Sequence, residues 1–484
     1  MHSNRRDFLK GTAWMGMAAV AAGCTSAGFP SFGTAGAPMK GFRTKPMSGI
    51  RVGVAGVGGR GRSAIGRIAL LPGVTVTGVC DVRGECTDLA NAKLESVRKS
   101  AAKTYVGPEA YKAMCDSPDV DVVYIVTDWA HHAPIGLYAL NAGKHALIEV
   151  PAAMTLDECW ELVETAERTR LHCMQLENCV YGEMEMLGLQ LVRLGVLGDI
   201  RHGECGYIHD LRVNEYADAK NWDYWRLRWN LKHKGNQYPT HGLGPIAWYM
   251  DINRGDRFDY LVSLESDPSH LSTYAAAHFP ADSWKNKVKP EMGDVNTTLI
   301  RTANGKSITV VHDISGPRPY SRINFVSGTK GCFWGYPWRP QAGKRNFQVG
   351  FEEKNGDGVH TFFPPEKAEK VRVEYMHPLW KKVGEIAKKV GGHGGMDFIM
   401  DLRWAYCMQN GLPLDMDVYD LASWCSICEL SERSVRNRSR TLDVPDFTRG
   451  AWRKKEPLPD FDVDPVRFGL EPSAVRRDKD QLNV

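Results

Sequence analysis

The stretch IRVGVAGVGGRGRSAIGRIALLPGVTVTGVCDV, residues 50–82, limits the fold more than any other part of the chain. Ile50 to Ala55 is a short apolar run, the pattern of a buried parallel strand. It leads into Gly56-x-Gly58-x-x-Gly61, and the residues from there through Leu71 read as a helix. Val74 to Cys80 reads as a second strand, ending on Asp81, 20 residues after Gly61. Each part has a physical task in a dinucleotide-binding fold. Gly56 permits the tight turn, Gly58 lets the backbone approach a pyrophosphate, and Gly61 lets helix and strand pack closely. The helix N-terminus offers free N–H groups and a positive dipole end to the phosphates. Asp81 can accept hydrogen bonds from the adenosine ribose hydroxyls, and its charge repels a 2′-phosphate, which favours NAD over NADP. Arg83 is close enough to blunt that preference.

The alternation of strand and helix continues. Val120 to Thr127 reads as a strand with Asp128, Trp129, Ala130, His131 and His132 at its carboxyl end, where open parallel sheets bind ligands. Trp129 and His132 are therefore expected to border the cofactor. Pro134 to Ala142 reads as a helix, and His145 to Glu149 as the next strand. That strand ends Glu149-Val150-Pro151, with no base or nucleophile beside the acid.

A chain of 484 residues is too long for one ordinary core and suggests about two or three domains. The formal net charge of +4 is spread along it without a Lys/Arg-rich block, which argues against a nucleic-acid partner. The N-terminus stands apart from the fold. Arg5-Arg6, followed by a mildly apolar run and Ala21-Ala22-Gly23-Cys24, resembles a twin-arginine export signal with a lipoprotein cleavage site. The expectation is export by that route to the periplasm or cell envelope, with membrane attachment through a lipidated Cys24. The run is too short and too rich in Gly and Ala to read as a spanning helix. The 12 cysteines are irregularly spaced; the one Cys-x-x-Cys, Cys425 to Cys428, has helical apolar surroundings and no second pair to complete a zinc site. No metal is expected, and oligomeric state is left open, with a homo-oligomer among the readings.

Residues 151–190 read as helices. Strands follow near residues 200–209, 260–264, 296–301, 307–312 and 322–328, a pattern that suits a mixed or antiparallel sheet. Between them lies NWDYWRLRWNLKHKGNQYPTHGLGPIAWYM. Trp, Tyr and Arg at that density suit a sugar platform, with rings on C–H faces and polar tips on hydroxyls; an ordinary interface is the alternative. Residues 376–430 read as helices that pack back on the first domain, and 431–484 as a tail wrapping the surface. The expected division is a signal and tether over 1–47, a dinucleotide domain over 48–170, a substrate domain over 171–430 and the tail.

With these features together the chain resembles the superfamily of glucose–fructose oxidoreductase and myo-inositol dehydrogenase. The resemblance implies an α/β protein: an N-terminal Rossmann domain plus a C-terminal α/β domain with an open, mostly antiparallel sheet. In dehydrogenases of that superfamily the strand ending here on Glu149-Val150-Pro151 typically ends Glu-Lys-Pro, and the lysine assists the hydroxyl that is oxidised. A narrower branch is closer: the NAD-dependent α-N-acetylgalactosaminidases of glycoside hydrolase family 109. GVGGRGR, IEVPAA, LENCVYG, NQYPTHGLGPI and GGHGGMDF are similar to it, and so is the twin-arginine start. Gly59 stands where that family commonly has Asn. The resemblance implies NAD near Gly59, Arg60, Asp81, Trp129, Ala130, His131, His132, Glu149, Val150 and Asn178. It implies a sugar near Tyr207, Arg226, Tyr238, Pro239, Thr240, His241 and Tyr320. His241 is then the main acid–base candidate, with Tyr238 sharing proton transfer; His393 stays outside the catalytic set. The implied activity is retaining hydrolysis of terminal α-N-acetylgalactosamine from glycans by oxidation, elimination, addition and reduction. A sugar oxidoreductase of the same fold, and an exported NAD- or sugar-binding protein without catalysis, stay open beside it.

Overall fold

A computed structural model describes residues 36–218, 222–336, 347–353 and 358–465. The twin-arginine motif and Cys24 lie outside the described residues, as does the end of the C-terminal tail.

The first sheet grows from strands whose side chains are apolar on both faces. β1 (Ile50–Ala55), β2 (Val74–Asp81), β3 (Lys103–Val106), β4 (Val122–Ile125), β5 (His145–Ile148) and β6 (Cys173–Gln175) lie in the order β3-β2-β1-β4-β5-β6. Every pairing is parallel. All four residues of β4 and of β5 are buried, as strands covered on both faces require. The connections are helices, among them α1 (Gly59–Ile68), α2 (Trp129–Asn141) and α3 (Leu156–Thr169). α3 starts where Thr155 and Glu158 cap each other's backbone amides, at 3.1 Å each way. Strand order reverses at β1, so a crevice opens at the carboxyl ends of β1 and β4.

The second sheet runs β13-β12-β11-β7-β10-β9-β8-β14. It contains β7 (Ile200–Ile208), β8 (Phe258–Glu265), β9 (Asn296–Thr302), β10 (Ser307–Asp313), β11 (Phe325–Gly328), β12 (Gly331–Trp334), β13 (Gln348–Phe351) and β14 (Leu442–Asp443). β7 and β10 pair in parallel and the other neighbours are antiparallel. This is the α/β protein with a Rossmann sheet and a second, mostly antiparallel sheet that the sequence implies.

Several elements differ from expectation. Residues 151–190 are not all helical: Cys173–Gln175 adds the outer strand β6, so the parallel sheet runs past residue 170. Three residues are too few to show a strand period against the helical pattern on either side. β3, β12 and β13, of four residues each, and β14, of two, were not anticipated either. The tail does more than wrap the surface. β14 pairs with β8, and Phe447, Phe461 and Val463 are buried, single apolar anchors among prolines and charges. Cys425 and Cys428 are buried thiols on α6 (Val418–Arg436), whose predecessor α5 (Met396–Asn410) packs against α1. On α5 the Asp401 carboxylate accepts hydrogen bonds from Arg67 Nε at 2.9 Å and from the Tyr124 hydroxyl at 3.0 Å.

Candidate active site

A cavity of about 660 Å³ opens in the crevice at β1 and β4 and extends to β7. At its first end the glycines do what their spacing implies. Gly56 has φ +83°, and a Cβ there would lie 2.5 Å from the Val126 carbonyl oxygen. A Cβ on Gly61 would overlap the Gly56 carbonyl oxygen. A Cβ on Gly59 would meet nothing within 4 Å, and one on Gly58 only Arg83 Nη2 at 3.8 Å, so this side of the loop is open to a ligand. No side chain caps the start of α1, which leaves its first amides free for phosphate oxygens. Asp81 accepts from the Val57 amide at 3.0 Å and from the Arg83 amide at 3.0 Å, one on each oxygen, and each oxygen keeps a lone pair for a ribose hydroxyl. Arg83 lies over the Trp222 ring, 5.1 Å from its centroid, on the same wall. Open loop, free amides and oriented acid fit a bound NAD.

Glu149 at the end of β5 is not a free acid. Arg60 Nε donates to it at 2.7 Å, and Arg60 Nη1 donates to Asp397 at 2.5 Å. Asp397, on the first turn of α5, also accepts from Asn178 Nδ2 at 2.5 Å. Burial would lower the Arg60 pKa, but Asp397 and Glu149 overcome it and hold the guanidinium well above its ordinary value. Burial would raise Asp397, and Arg60 and Arg67 hold it well below. Arg60 thus ties the glycine loop to β5 and to α5. Val150 is buried with Trp129, Tyr207 and Tyr238 in an apolar cluster, so the position of the superfamily's lysine is filled without a charge.

 At the other end the walls are aromatic. α4 is the helix Thr240–Tyr249, and Tyr238 precedes it by two residues. The Trp129 and Tyr207 ring centroids stand 5.7 and 4.6 Å from that of Tyr238. The Arg226 guanidinium sits 4.8 Å from the Trp129 centroid, 5.3 Å from Trp225 and 5.5 Å from Tyr238. Its Nε is buried with no hydrogen-bond partner. His241, in the first turn of α4, has Nδ1 at 2.8 and 3.0 Å from the two oxygens of Glu177 and Nε2 at 3.3 Å from the Tyr238 hydroxyl. The carboxylate holds the ring proton on Nδ1, which leaves the Nε2 lone pair facing Tyr238. Glu177 is fully buried; burial would raise it, but His241 outweighs that and keeps it below its ordinary value. Burial raises the Tyr238 phenol well above its ordinary value, and Tyr207 and Glu149 push the same way. Tyr238 therefore starts as a neutral hydroxyl that can pass its proton to His241.

The cavity brings together Gly56, Gly58, Gly59, Arg60, Gly61, Asp81, Trp129, His131, His132, Glu149, Val150, Asn178, Tyr207, Arg226, Tyr238 and His241. Four expected residues do not line it. Ala130 is exposed on the first turn of α2, and Pro239 and Thr240 are buried at the start of α4. Tyr320 stands behind the wall, its ring 4.9 Å from that of His209. His132 is buried, with its two ring nitrogens on the carbonyls of Pro151 and Thr127 at 2.8 and 3.0 Å, a bracing position between β4 and the strand end at β5. Glu177 and Asp397 were missed, although both lie in motifs already singled out, LENCVYG and GGHGGMDF. So was His209, which is hydrogen-bonded to the Tyr207 hydroxyl at 2.9 Å and pushed down to about 4 by burial, with Arg226 adding to it. Glu177 lies two residues past β6, a strand the sequence does not announce, so no local pattern marked it.

Comparison with known proteins agrees with this geometry. Residues 50–176 match the family model of the oxidoreductase family, NAD-binding Rossmann fold, and residues 181–454 match that of the glycosyl hydrolase 109 C-terminal domain. A glycosyl hydrolase family 109 protein of Shewanella sp. (strain W3-18-1) is 42% identical over 473 residues, covering 95% of this chain and 99% of that protein. The alpha-N-acetylgalactosaminidase of Shewanella oneidensis is 41% identical over 464 residues, with 95% and 99% covered. Among solved structures, a levoglucosan dehydrogenase in complex with NADH and L-sorbose superposes with a TM-score of 0.58 at 18% identity, over 82% of this chain and all of that one. That likeness shows the shared fold. With the dinucleotide cradle and the aromatic acid–base cluster in one cavity, the chain belongs to glycosyl hydrolase family 109, a glycosidase family whose members carry an NAD-binding domain.

Proposed function

We propose that this enzyme releases terminal α-N-acetylgalactosamine from glycans with retention of configuration, and that its NAD serves each turnover without being consumed. One observation carries the reading: the Glu177–His241–Tyr238 relay opens into the same cavity as the dinucleotide cradle. NAD held in that cradle would supply reversible hydride transfer at C3 of the sugar. Tyr238 and His241 remove the proton of the C3 hydroxyl, with Glu177 balancing the charge that forms on the imidazole. A ketone at C3 makes the C2 hydrogen acidic, and a base of the same pair takes that proton. The C1 substituent then leaves, and water adds at C1.

An ordinary glycosidase needs two carboxylates free to flank the bond. Here Glu149 is engaged by Arg60 and Glu177 by His241, which favours the redox route. Val150 supports it too, since a dehydrogenase of this superfamily keeps a lysine there. The arginine pair and Cys24 support export and lipid anchoring as part of the same reading.

The test offers 4-nitrophenyl α-N-acetylgalactosaminide to the purified enzyme without added NAD. Release of 4-nitrophenol with no net NADH is expected, slowed by deuterium at C3 of the sugar. Net NADH from a free sugar, with no glycoside cleaved, would replace this reading by a sugar dehydrogenase.

A further inference from the structure

A second carboxylate–imidazole pair faces the cavity. His393 Nδ1 lies 3.0 and 3.2 Å from the two oxygens of Asp397, as His241 Nδ1 lies against Glu177. Asp397 is fully buried, while the His393 side chain is 60% exposed and lines the cavity. The imidazole therefore spans from a buried anion to the cleft. Glu177 and Asn178, neighbours in the chain, hold the two pairs: Glu177 takes His241, and Asn178 donates to Asp397. His393 and His209 line the same cavity.

Its backbone is held in place deliberately. Gly391, Gly392, Gly394 and Gly395 all have positive φ, and His393 between them has φ +48°. That region is costly for a residue with a Cβ, and it persists where the surroundings over-determine it. Around it Glu149, Asp397 and Asp401 face Arg60 and Arg67, three carboxylates against two guanidiniums. His393 is the member of this cluster that can carry a proton between the buried charge and the cavity.

We propose that Asp397 and His393 form a second proton-handling dyad, which protonates the departing glycosidic oxygen and then deprotonates the water that replaces it. The inference rests on the elimination and addition described above. In the elimination the C2–H bond breaks and its electron pair becomes the C1–C2 double bond. The C1–O bond breaks with its pair on the glycosidic oxygen, and His393 Nε2–H gives that oxygen its proton. In the addition His393 takes a proton from water as the water oxygen bonds to C1, and C2 recovers a proton from the base that removed it. The Glu177–His241 pair works at the sugar carbons, and the Asp397–His393 pair works at the exchanging oxygen.

The test is His393→Asn. Asparagine tolerates the left-handed conformation and can still donate to Asp397. Two substrates are compared: the 4-nitrophenyl glycoside, whose leaving group departs without a proton, and the methyl glycoside, whose leaving group needs one. Loss of kcat of roughly 10²-fold is expected on the methyl glycoside, with less than about tenfold on the 4-nitrophenyl glycoside. Bound NAD and melting temperature should match the wild type, and added imidazole should restore methyl glycoside turnover. Equal loss on both substrates, no loss on either, or loss of bound NAD would each overturn the proposal. If the wild type cleaves neither glycoside, the functional reading itself fails and the dyad falls with it.

Discussion

At the cofactor end of the cleft the walls are backbone and charge: a glycine turn, free helix amides, Asp81, and Arg60 bridging Glu149 and Asp397. At the sugar end they are rings, with Tyr238 packed among Trp129, Tyr207 and His241 under the Arg226 guanidinium. Both ends recognise by shape, but they tolerate change differently. Backbone that touches backbone has no side chain to rearrange, so one methyl group is decisive. Rings packed at an angle to one another share the load, and loss of one leaves the others in place. The two carboxylate–imidazole pairs lie where the two ends meet, at Glu177 and Asn178.

This contrast can be broken from either side. The largest effect is expected from Glu177→Gln, which keeps the shape and removes the charge behind His241. kcat should fall on the order of 10³-fold while bound NAD is unchanged. Unaltered turnover would detach Glu177 from the relay. Gly61→Ala attacks the cofactor end alone. Its methyl would overlap the Gly56 carbonyl oxygen, with an expected cost of about 3 kcal/mol in stability and loss of bound NAD, read by calorimetry and by extraction of the nucleotide. Trp225→Ala removes one ring against Arg226. KM should rise about tenfold, with kcat and NAD content little changed. A fall in kcat instead would show that Trp225 positions the reacting groups rather than the sugar. The smallest effect is expected two residues before Gly61. Gly59→Ala has open space and a helical position, so stability should change by no more than about 1 kcal/mol, upward. A large loss there would mean that the phosphates approach closer than the open loop implies.

Legibility follows the same line. The first sheet could be read because each strand, turn and helix start carries its own signal within a few residues, and Gly56, Gly61 and Asp81 act as their spacing implies. The short strands β6, β12 and β13 could not, since three or four residues carry too little periodicity. Trp129 was placed by the strand end before it, and Arg226, Tyr238 and His241 through resemblance; the cavity brings them together. Glu149 was expected near the cofactor; the side chain it holds is that of Arg60. That pairing crosses from α1 to the end of β5, and no local pattern announces it.

By itself the sequence determined the dinucleotide half, because its turn, helix start and acid lie within one short run of chain and need only local geometry to act. It also determined that a lysine is missing before Pro151. Only the tertiary structure decided which acid serves which base. Glu177 and His241 are 64 residues apart, and Arg60 and Asp397 are 337 apart. A charge buried at such a distance in sequence is stabilised by whichever partner the sheet order and helix packing bring to it, and that choice is made by the whole fold at once.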